Sequence, residues 1–420
     1  MKCIIITIGD EILAGKTVDS NSTWLSKELG SMGIGTSMAF TVPDEIEIIA
    51  TTIEKSLSSA DFVITTGGLG PTDDDMTREA IAKALDVELQ FDDHYFAKIK
   101  DIFAERGIPM PENVRREAYV PEGARVLENG VGVAPGLLLE REGKYFIALP
   151  GVPPEMKDIF ANQLRPMLSS MDGIEIRRVE TFYTAGIPES ALFDKLSAAL
   201  NDIGTGGIGF YPGNLGVEVR LTMNSDDKST EEKLRIIAKT LSPWIFSRNE
   251  KSLPAVIGKI LESKGKTLAC AESCTGGLLA SRIVDVSGAS GWFMGSAVTY
   301  SNEAKAQILG VSRDDIACYG AVSPQVAAQM AEGAAKIYGA DYAMSTTGIA
   351  GPSGGTPEKP VGTVFYALRT PDRILVRKNR FTRGREDHRW RTSQAVLVML
   401  WLELEGKYNS HPWQDGSEAV

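Results

Sequence analysis

The run KCIIITIG, residues 2–9, is apolar and β-branched and ends in glycine, which predicts a β-strand. It is followed by SNSTWLSKELGSMG, residues 20–33, in which apolar side chains recur at helical spacing. Further predicted strands and helices alternate along this part of the chain. Strands that alternate with helices are typical of a parallel sheet covered by helices on its faces. The sequence therefore predicts an α/β domain over residues 1–170.

The rest of the chain predicts two more folded regions. Residues 171–250 contain strand and helix patterns that favour a small α+β connecting domain, which ends in the proline-bearing, charged stretch SPWIFSRNEKSLP. Residues 251–410 again alternate strands and helices, and residues 411–420 are a polar tail that we expect to be mobile. The predicted fold class is α/β, with two separate three-layer α/β domains joined by the small α+β domain.

The charge balance limits the classes of partner. Forty-four basic and 55 acidic side chains give the 420-residue chain a formal net charge of −11. An acidic protein repels a phosphate backbone, so we expect no nucleic-acid partner. No apolar run approaches the roughly 18 residues of a membrane span, and the first residues lack a signal-peptide pattern. The sequence therefore predicts a cytoplasmic protein without a membrane partner.

Cysteine and histidine are scarce. The four cysteines contain no C-x-x-C pair and are too few and too scattered for a disulfide framework or a zinc site. Only three histidines are present, His94, His388 and His411, and none has surroundings that suit a catalytic base. Any chemistry must therefore use other groups.

Two polar clusters follow predicted strands of the first domain, at the sheet edge where open parallel sheets bind ligands. GDEIL contains Glu11, and TTGGLGPTDDDMT, residues 65–77, contains three glycines and the acidic run that ends at Asp75. Glycines before a helix N-terminus suit a phosphate, and nearby carboxylates suit a Mg²⁺ ion that bridges phosphates. The structural alternative is that the acids cap the helix and the glycines form a turn. The two clusters together favour a site.

The last third of the chain contains a candidate nucleophile and base. In AESCTGG, residues 271–277, Ser273 lies at a strand end beside backbone N–H groups that can form an oxyanion hole. In YSNEAK, residues 300–305, Lys305 lies in the first turn of a helix, where the dipole and burial lower a lysine pKa. The alternatives are an ordinary helix N-cap for the serine and a solvated surface charge for the lysine. Because no suitable histidine exists, a serine–lysine pair is the remaining solution.

Cys274 competes with Ser273 for the role of nucleophile, because a thiol is intrinsically the stronger one. Successive side chains at a strand end point in opposite directions, so only one of the two can face a pocket. Without a histidine to form a thiolate pair, the residues favour the hydroxyl of Ser273.

Two further segments suit a phosphorylated substrate. The glycine-rich loop TTGIAGPSGGTPEKPVGTV, residues 346–364, carries threonine hydroxyls that suit ribose or phosphate. The stretch FTRGREDHRWR, residues 381–391, carries four arginines that can clamp a phosphate. The alternatives are an ordinary long loop and the solvated start of a charged helix.

Three motifs of the first domain, GDEIL, GGLGPTDDDMT and LPGVPPEM, resemble the molybdopterin-binding-like domain that opens members of the CinA family. The resemblance implies a pocket for a phosphorylated, nucleotide-sized compound and metal-dependent ADP-ribose pyrophosphatase activity. The implied ligands of a divalent cation, Mg²⁺ or a similar ion, are Glu11 and Asp75. The implied substrate contacts are Asn21, Gly67, Gly68, Gly70 and Thr72.

The motifs AESCTGG, YSNEAK and GIAGPSGG with KPVGTV resemble the nicotinamide-nucleotide amidase domain of the same family. The resemblance implies deamidation of nicotinamide mononucleotide to nicotinate mononucleotide and ammonia, without a cofactor. It implies that Ser273, Tyr300 and Lys305 are catalytic. The implied substrate contacts are Cys274, Thr275, Gly276, Thr347, Gly348, Arg385 and Arg389.

The expected partners are therefore nicotinamide mononucleotide, ADP-ribose and a second copy of the chain in a homodimer. Both activities would belong to the recycling of pyridine nucleotides. A different class of function stays open at this point: a non-catalytic protein linked to competence that binds a molybdopterin-like pterin or a nucleotide.

Overall fold

The computed structural model describes residues 1–174, 178–201, 207–223, 229–413 and 418–420. These residues form two compact units. Unit 1 covers Met1–Arg178, and unit 2 holds the described residues from Val179 onward. Among the helices of these residues, none combines the length and apolar character that crossing a bilayer requires.

The described residues of unit 1 form eight strands and seven α-helices. The strands are β1 (Lys2–Ile8), β2 (Gly35–Val42), β3 (Phe62–Thr66), β4 (Leu89–Phe91), β5 (Tyr119–Pro121), β6 (Arg125–Leu127), β7 (Gly136–Arg141) and β8 (Lys144–Leu149). The helices are α1 (Asp10–Leu13), α2 (Ser20–Ser31), α3 (Ile46–Ser59), α4 (Thr77–Leu85), α5 (Asp93–Glu105), α6 (Pro153–Ile159) and α7 (Arg165–Ser169). A 3₁₀ segment covers Glu112–Ala118, and a π-helical turn, Phe160–Leu164, joins α6 to α7.

Six of these strands form one sheet in the order β2-β1-β3-β8-β7-β6. The pairs β1–β2, β1–β3 and β3–β8 are parallel, and β7 pairs antiparallel with β6 and β8. Ile4 and Ile6 share a core with α3 and α4, whereas Cys3 and Ile5 share a core with α2 and α6. Both faces of β1 are covered, which explains its continuous apolar run. The predicted α/β layering is confirmed here.

Unit 2 contains two sheets. Its strands are β9 (Arg178–Thr184), β10 (Ile208–Gly213), β11 (Gly216–Met223), β12 (Ile245–Arg248), β13 (Leu268–Glu272), β14 (Phe293–Val298), β15 (Tyr342–Gly348), β16 (Thr363–Arg369), β17 (Ile374–Arg380) and β18 (Glu418–Ala419). Its helices are α8 (Glu189–Ala199), α9 (Ser229–Thr240), α10 (Leu253–Lys264), α11 (Leu278–Val284), α12 (Asn302–Leu309), α13 (Arg313–Tyr319), α14 (Pro324–Tyr338) and α15 (Arg385–Leu404). Short 3₁₀ turns cover Ala289–Gly291 and Tyr408–Ser410.

The larger sheet of unit 2 runs in the order β14-β13-β15-β16-β17-β18. Strand β13 is parallel to both β14 and β15, and the following pairs from β15 to β18 are antiparallel. Leu268 and Cys270 share a core with α10 and α15, whereas Ala269 and Ala271 share a core with α14. This second three-layer arrangement brings the carboxyl ends of β13 and β15 together, and a site is expected there.

The smaller sheet has the order β10-β11-β9-β12 and packs with α8 and α9 around its own core. It also adjoins the larger sheet's layers, because Phe246 of β12 lies 6.2 Å from Trp401 of α15 between ring centroids. The predicted connecting domain, residues 171–250, thus lies mostly in the same compact unit as the region after it. Its independence as a domain stays a prediction.

The described part of the predicted tail contacts the rest of unit 2, and its mobility stays a prediction. His411 is buried, and its ring packs against Trp413 at 4.8 Å and Trp244 at 6.3 Å between centroids. Strand β18 pairs with β17. Aromatic packing and strand pairing anchor residues that looked only polar in the sequence. Residues 414–417 of the predicted tail lie outside the described residues.

Candidate functional site

The predicted nucleophile follows the central strand of the larger sheet in unit 2. Strand β13 ends at Glu272, and the N–H of Ser273 still donates to the carbonyl of Thr346 on β15 at 2.9 Å. The chain then turns through Gly276 and Gly277, both with positive φ, into α11. Glycine adopts this backbone without a steric cost, so the strand can turn sharply into the helix. Ser273 is thereby held at the strand end, as predicted.

Lys305 reaches back from α12 to this serine. Its Nζ lies 2.9 Å from Ser273 Oγ and 2.8 Å from the carbonyl oxygen of Thr299. The predicted cap is present, since Ser301 Oγ accepts from the N–H of Ala304 at the start of α12. Only 1% of Lys305 is exposed, and this burial lowers the pKa of its amine below the usual lysine value. A neutral amine within hydrogen-bond distance of a hydroxyl can act as its base.

Cys274, next to the serine, has a buried side chain. Its side chain belongs to the hydrophobic core between the sheet and α15, and burial raises its thiol pKa to about 12. A thiol in such surroundings is inert as a nucleophile. That only one of the two neighbours faces the site stays a prediction.

The backbone after Ser273 offers free donors. Within the described residues, neither the N–H of Cys274 nor that of Thr275 donates to a backbone carbonyl. The side chain of Thr275 is fully buried and bonds Thr346 between hydroxyls at 2.7 Å, which fixes the turn. Two N–H groups on a fixed turn beside a hydroxyl can stabilise an oxyanion. The contribution predicted for Cys274 and Thr275 is thus assigned to their backbone, not to their side chains.

Glu272 is a feature of the site that the sequence analysis missed. Its carboxylate is completely buried and accepts from the N–H groups of Gly277, Leu279 and Ala280 at 2.9–3.0 Å. It therefore takes up the free N–H groups at the start of α11. The available signal was a single acid at the end of the apolar run LACAE, directly before the glycine turn.

Tyr300, the third predicted catalytic residue, has its side chain largely in solvent, with 61% exposed. Its hydroxyl accepts from Arg385 Nη2 at 3.0 Å, and its carbonyl oxygen lies 3.3 Å from Lys305 Nζ. Arg385 also donates to the carbonyl of Gly351 at 2.9 Å. Tyr300 and Arg385 therefore form a polar pair that links the segment between β14 and α12 to the glycine-rich loop.

Other predicted contacts have structural partners. Arg389 donates through Nε and Nη2 to the carbonyl of Thr275 at 3.1 and 2.9 Å, so it braces the nucleophile turn. Thr347 is buried at the end of β15 and donates to the carbonyl of Ala321 at 2.8 Å. Gly348 packs so closely on β16 that a Cβ atom would meet Val364 at 2.6 Å. These residues shape the site by holding its turns.

The predicted glycine loop of unit 1 follows β3. Gly67 has φ +115°, and a Cβ atom there would overlap the carbonyl oxygen of Ile8 at the end of β1. Gly68 has φ +66°, and a Cβ atom there would overlap the side-chain oxygen of Thr77. The loop is further fixed by Arg78, which is 1% exposed and donates to the carbonyls of Leu69 and Gly70 at 2.6 and 2.5 Å. The glycines are thus required for close approach of the two strand ends.

Asn21 lies at the start of α2 and spans the same strand ends. Its Nδ2 donates to Thr66 Oγ1 at 3.0 Å and to the carbonyl of Gly151 at 2.8 Å. Its Oδ1 is buried and, within the described ranges, has no hydrogen-bond partner. A buried acceptor without a partner is costly, so it marks a place for a donor from outside the protein.

The two predicted metal ligands have different surroundings. Asp75 Oδ2 accepts from the N–H and the hydroxyl of Thr72 at 2.9 and 2.5 Å, which holds the loop before α4. It does not cap the helix, because the N-cap residue of α4 is Met76 and no side chain makes a capping hydrogen bond there. Glu11 belongs to an acidic group around Asp44, whose carboxyl pKa is raised mainly by burial and also by neighbouring acids. In the part of the chain that the structure describes, no three His, Cys, Asp or Glu side chains form a ready metal cage.

The chain matches three family models in succession. Residues 4–170 match a probable molybdopterin binding domain, residues 180–247 match the damage-inducible protein CinA KH domain, and residues 250–404 match the CinA C-terminal domain.

Similar proteins match along nearly the whole chain. A putative competence-damage inducible protein of Halothermothrix orenii is 39% identical over 407 residues, which are 96% of this chain and 98% of that protein. A CinA-like protein of Thermotoga maritima is 40% identical over 408 residues, which are 97% of this chain and 99% of that protein. A crystal structure described as the protein CinA with unknown function from Thermoplasma acidophilum is 35% identical, covers 40% of this chain and 97% of its own, and has a TM-score of 0.37. The chain therefore belongs to the CinA family of competence/damage-inducible proteins.

Proposed function

We propose that unit 2 is an amidohydrolase that converts nicotinamide mononucleotide to nicotinate mononucleotide and ammonia. The observation that carries this proposal is the contact of 2.9 Å between the buried amine of Lys305 and Ser273 Oγ. Hydrolysis of a carboxamide needs an activated nucleophile and hydrogen-bond donors for the oxyanion. The hydroxyl of Ser273 beside Lys305 and the backbone N–H groups that follow it, at the carboxyl end of β13, suit these two roles. The choice of nicotinamide mononucleotide among amides rests on the family resemblance.

In the first half of the proposed reaction, neutral Lys305 accepts the hydroxyl proton while Ser273 Oγ bonds to the carboxamide carbon. The carbonyl electron pair moves to oxygen, and the N–H groups of Cys274 and Thr275 donate to it. The carbon–nitrogen bond then breaks as the Lys305 ammonium returns its proton to the leaving nitrogen. Ammonia departs and leaves an ester on Ser273.

In the second half, Lys305 accepts a proton from water, whose oxygen attacks the ester carbon. The ester bond breaks, Ser273 recovers its proton and nicotinate mononucleotide leaves. Arg385 and Tyr300 lie at the rim, where a guanidinium and a phenol suit the substrate phosphate. None of these steps needs a cofactor.

The test is the release of ammonia from nicotinamide mononucleotide by the purified chain, with nicotinamide and nicotinamide riboside as comparison amides. We expect ammonia from the mononucleotide, a much lower kcat/KM for the amides that lack phosphate, and no loss of rate with a metal chelator. Absence of ammonia from all three amides would refute the amidase and favour the non-catalytic alternative.

For unit 1 we propose binding and hydrolysis of ADP-ribose with a divalent cation. The support is the partnerless Oδ1 of Asn21 beside the glycine loop, together with the carboxylates that follow the same strand ends. One or two carboxylates plus substrate phosphates are a usual Mg²⁺ environment, so Glu11 and Asp75 fit a cation that arrives with its substrate. Such a cation would stabilise the negative charge of the pyrophosphate during its cleavage.

The substitution Asp75→Asn tests this second proposal. We expect it to abolish metal-stimulated cleavage of ADP-ribose and to leave ammonia release unchanged. The control is Asp73→Asn, because Asp73 is exposed and makes only a long contact with Arg116 at 3.6 Å. Equal cleavage by the Asp75 and Asp73 variants would leave Asp75 with a structural role in the loop alone.

A further inference from the structure

A cavity of about 380 Å³ lies in unit 2, away from Ser273 and Lys305. Its walls are the start of α8, the turn between β10 and β11, the end of β17 and one side of α15. Ligand cavities in proteins commonly measure about 300–1,000 Å³, so this one suits a single nucleotide-sized molecule. Of the four arginines in residues 381–391, Arg383 and Arg391 line it, whereas Arg385 and Arg389, the two implied substrate contacts, do not.

The cavity carries positive charge in an acidic protein. Arg383 and Arg391 line it, and the one acidic lining residue is Glu189. Arg391 Nε lies 2.8 Å from Asp387, which leaves its other guanidinium nitrogens outside that ion pair. Arg383 is exposed, and no hydrogen bond or ion pair of its side chain is found among the described residues. Two guanidinium groups on one wall can donate several charge-assisted hydrogen bonds to an anion.

Another polar side chain of the lining is held in place by hydrogen bonds. Gln394 is 7% exposed, and its Nε2 donates to the carbonyl of Leu215 at 2.6 Å. Its Oε1 accepts from Arg282 Nη2 at 2.6 Å, so both ends of the amide are fixed. The turn between β10 and β11 is thereby tied to α15, so this part of the lining is fixed. A preformed cavity avoids the cost of ordering its walls on binding.

Apolar side chains complete the lining. Ile187, Phe381 and Val398 provide apolar surface for the uncharged part of a ligand. The two arginines of the lining can bind its anionic group. The combination of an apolar wall and a few convergent cationic donors is typical of a site for a small organic anion.

We propose that this cavity binds a small organic phosphate of nucleoside monophosphate size, at a site distinct from the amidase and pyrophosphatase sites. Arg383 and Arg391 hold the phosphate, and the apolar wall contacts the base or sugar. The proposal does not depend on the amidase assignment, because it concerns binding alone.

Calorimetric titration of the full chain tests it, with AMP as the probe and adenosine and inorganic phosphate as comparison ligands. We expect AMP to bind more tightly than either comparison ligand. Arg383→Ala should raise the Kd for AMP about tenfold, which corresponds to the loss of one charge-assisted hydrogen bond. Ala395→Leu, which adds bulk to the lining from α15, should weaken binding, and circular dichroism checks that this variant is folded.

The matched control is Arg373→Ala, because Arg373 is a partly exposed arginine of the same unit that pairs with Glu403 and does not line the cavity. Its Kd for AMP should equal that of the wild type. The proposal is overturned if the wild type does not bind AMP at millimolar concentration, or if Arg383→Ala and Arg373→Ala bind it equally well. It is also overturned if adenosine or inorganic phosphate alone binds as tightly as AMP.

Discussion

At the scale of single residues, the site depends on burial of one amine. Lys305 faces the hydroxyl of Ser273 and the carbonyls of Thr299 and Tyr300, which are neutral oxygens. Neutral acceptors compensate a positive charge less than a carboxylate does, so desolvation dominates and lowers the amine pKa. A lysine in these surroundings keeps its unprotonated form to lower pH than an exposed lysine does.

The rate should therefore depend on pH through Lys305. Because its pKa lies below the usual lysine value, the neutral form persists at lower pH than for an exposed lysine, and kcat/KM should fall only as the pH drops through this lowered pKa. The measurement is a pH profile of ammonia release. Lys305→Arg should be inactive at every pH, because a guanidinium does not deprotonate. A low-pH limb that lies at the pKa of an exposed lysine would contradict the role of burial.

The positions of Ser273 and Lys305 at element ends could be predicted from the local sequence pattern, whereas their proposed catalytic roles rest on the family resemblance. The roles of Arg389 and Thr347 could not be derived in the same way. Both contact backbone carbonyls more than 20 residues away in the chain, and no local pattern encodes such a contact. The partnerless Oδ1 of Asn21 is equally invisible without the neighbouring strand ends.

At the scale of elements, α12 carries the base, and α14 supports α12. Gly333 lies in the middle of α14, and a Cβ atom there would overlap the carbonyl oxygen of Leu309 at the end of α12. The helices can therefore approach closely only because this position is glycine. Strand alternation predicted the sheets well, because buried parallel strands are continuous apolar runs. The close approach of α12 and α14 depends on the absence of a Cβ atom at Gly333, and the sequence pattern gives no signal of this contact.

The substitution Gly333→Ala should displace α12 and lower kcat. Overpacking of this kind typically costs about 1–3 kcal/mol in the free energy of unfolding. Thermal unfolding and ammonia release measure the two effects. The control is Gly30→Ala in α2, where a Cβ atom meets nothing within 4 Å, and this variant should keep wild-type activity. Unchanged activity and stability of the Gly333 variant would show that α12 is not constrained by α14.

At the scale of the whole molecule, the boundary between compact units lies at Arg178 and Val179. The sequence marks a proline-bearing stretch near residue 250, but β12 and α15 share a core across that point through Phe246 and Trp401. Composition identifies exposed, polar linkers, and it gives no information on which apolar side chains meet across them. A cut at residue 251 would therefore expose apolar surface of α15.

A fragment that starts at Val179 should consequently fold and release ammonia as the full chain does. A fragment that starts at Lys251 should unfold at a lower temperature, because it loses the contact of Phe246 with Trp401 and the bond from Gln394 to Leu215. Circular dichroism with thermal unfolding compares the two. Equal unfolding temperatures would indicate that residues 179–250 contribute nothing to the stability of the unit.

The central claim is that Ser273, activated by Lys305, is the nucleophile of an amidase. Ammonia release from nicotinamide mononucleotide by Ser273→Ala, Lys305→Met and Cys274→Ala tests it most directly, with circular dichroism as the check on folding. We expect the serine and lysine variants to lose nearly all activity and Cys274→Ala to keep most of it, because the thiol is buried with a pKa of about 12. A folded Cys274→Ala protein without activity, or a folded Ser273→Ala protein with wild-type activity, would contradict the account.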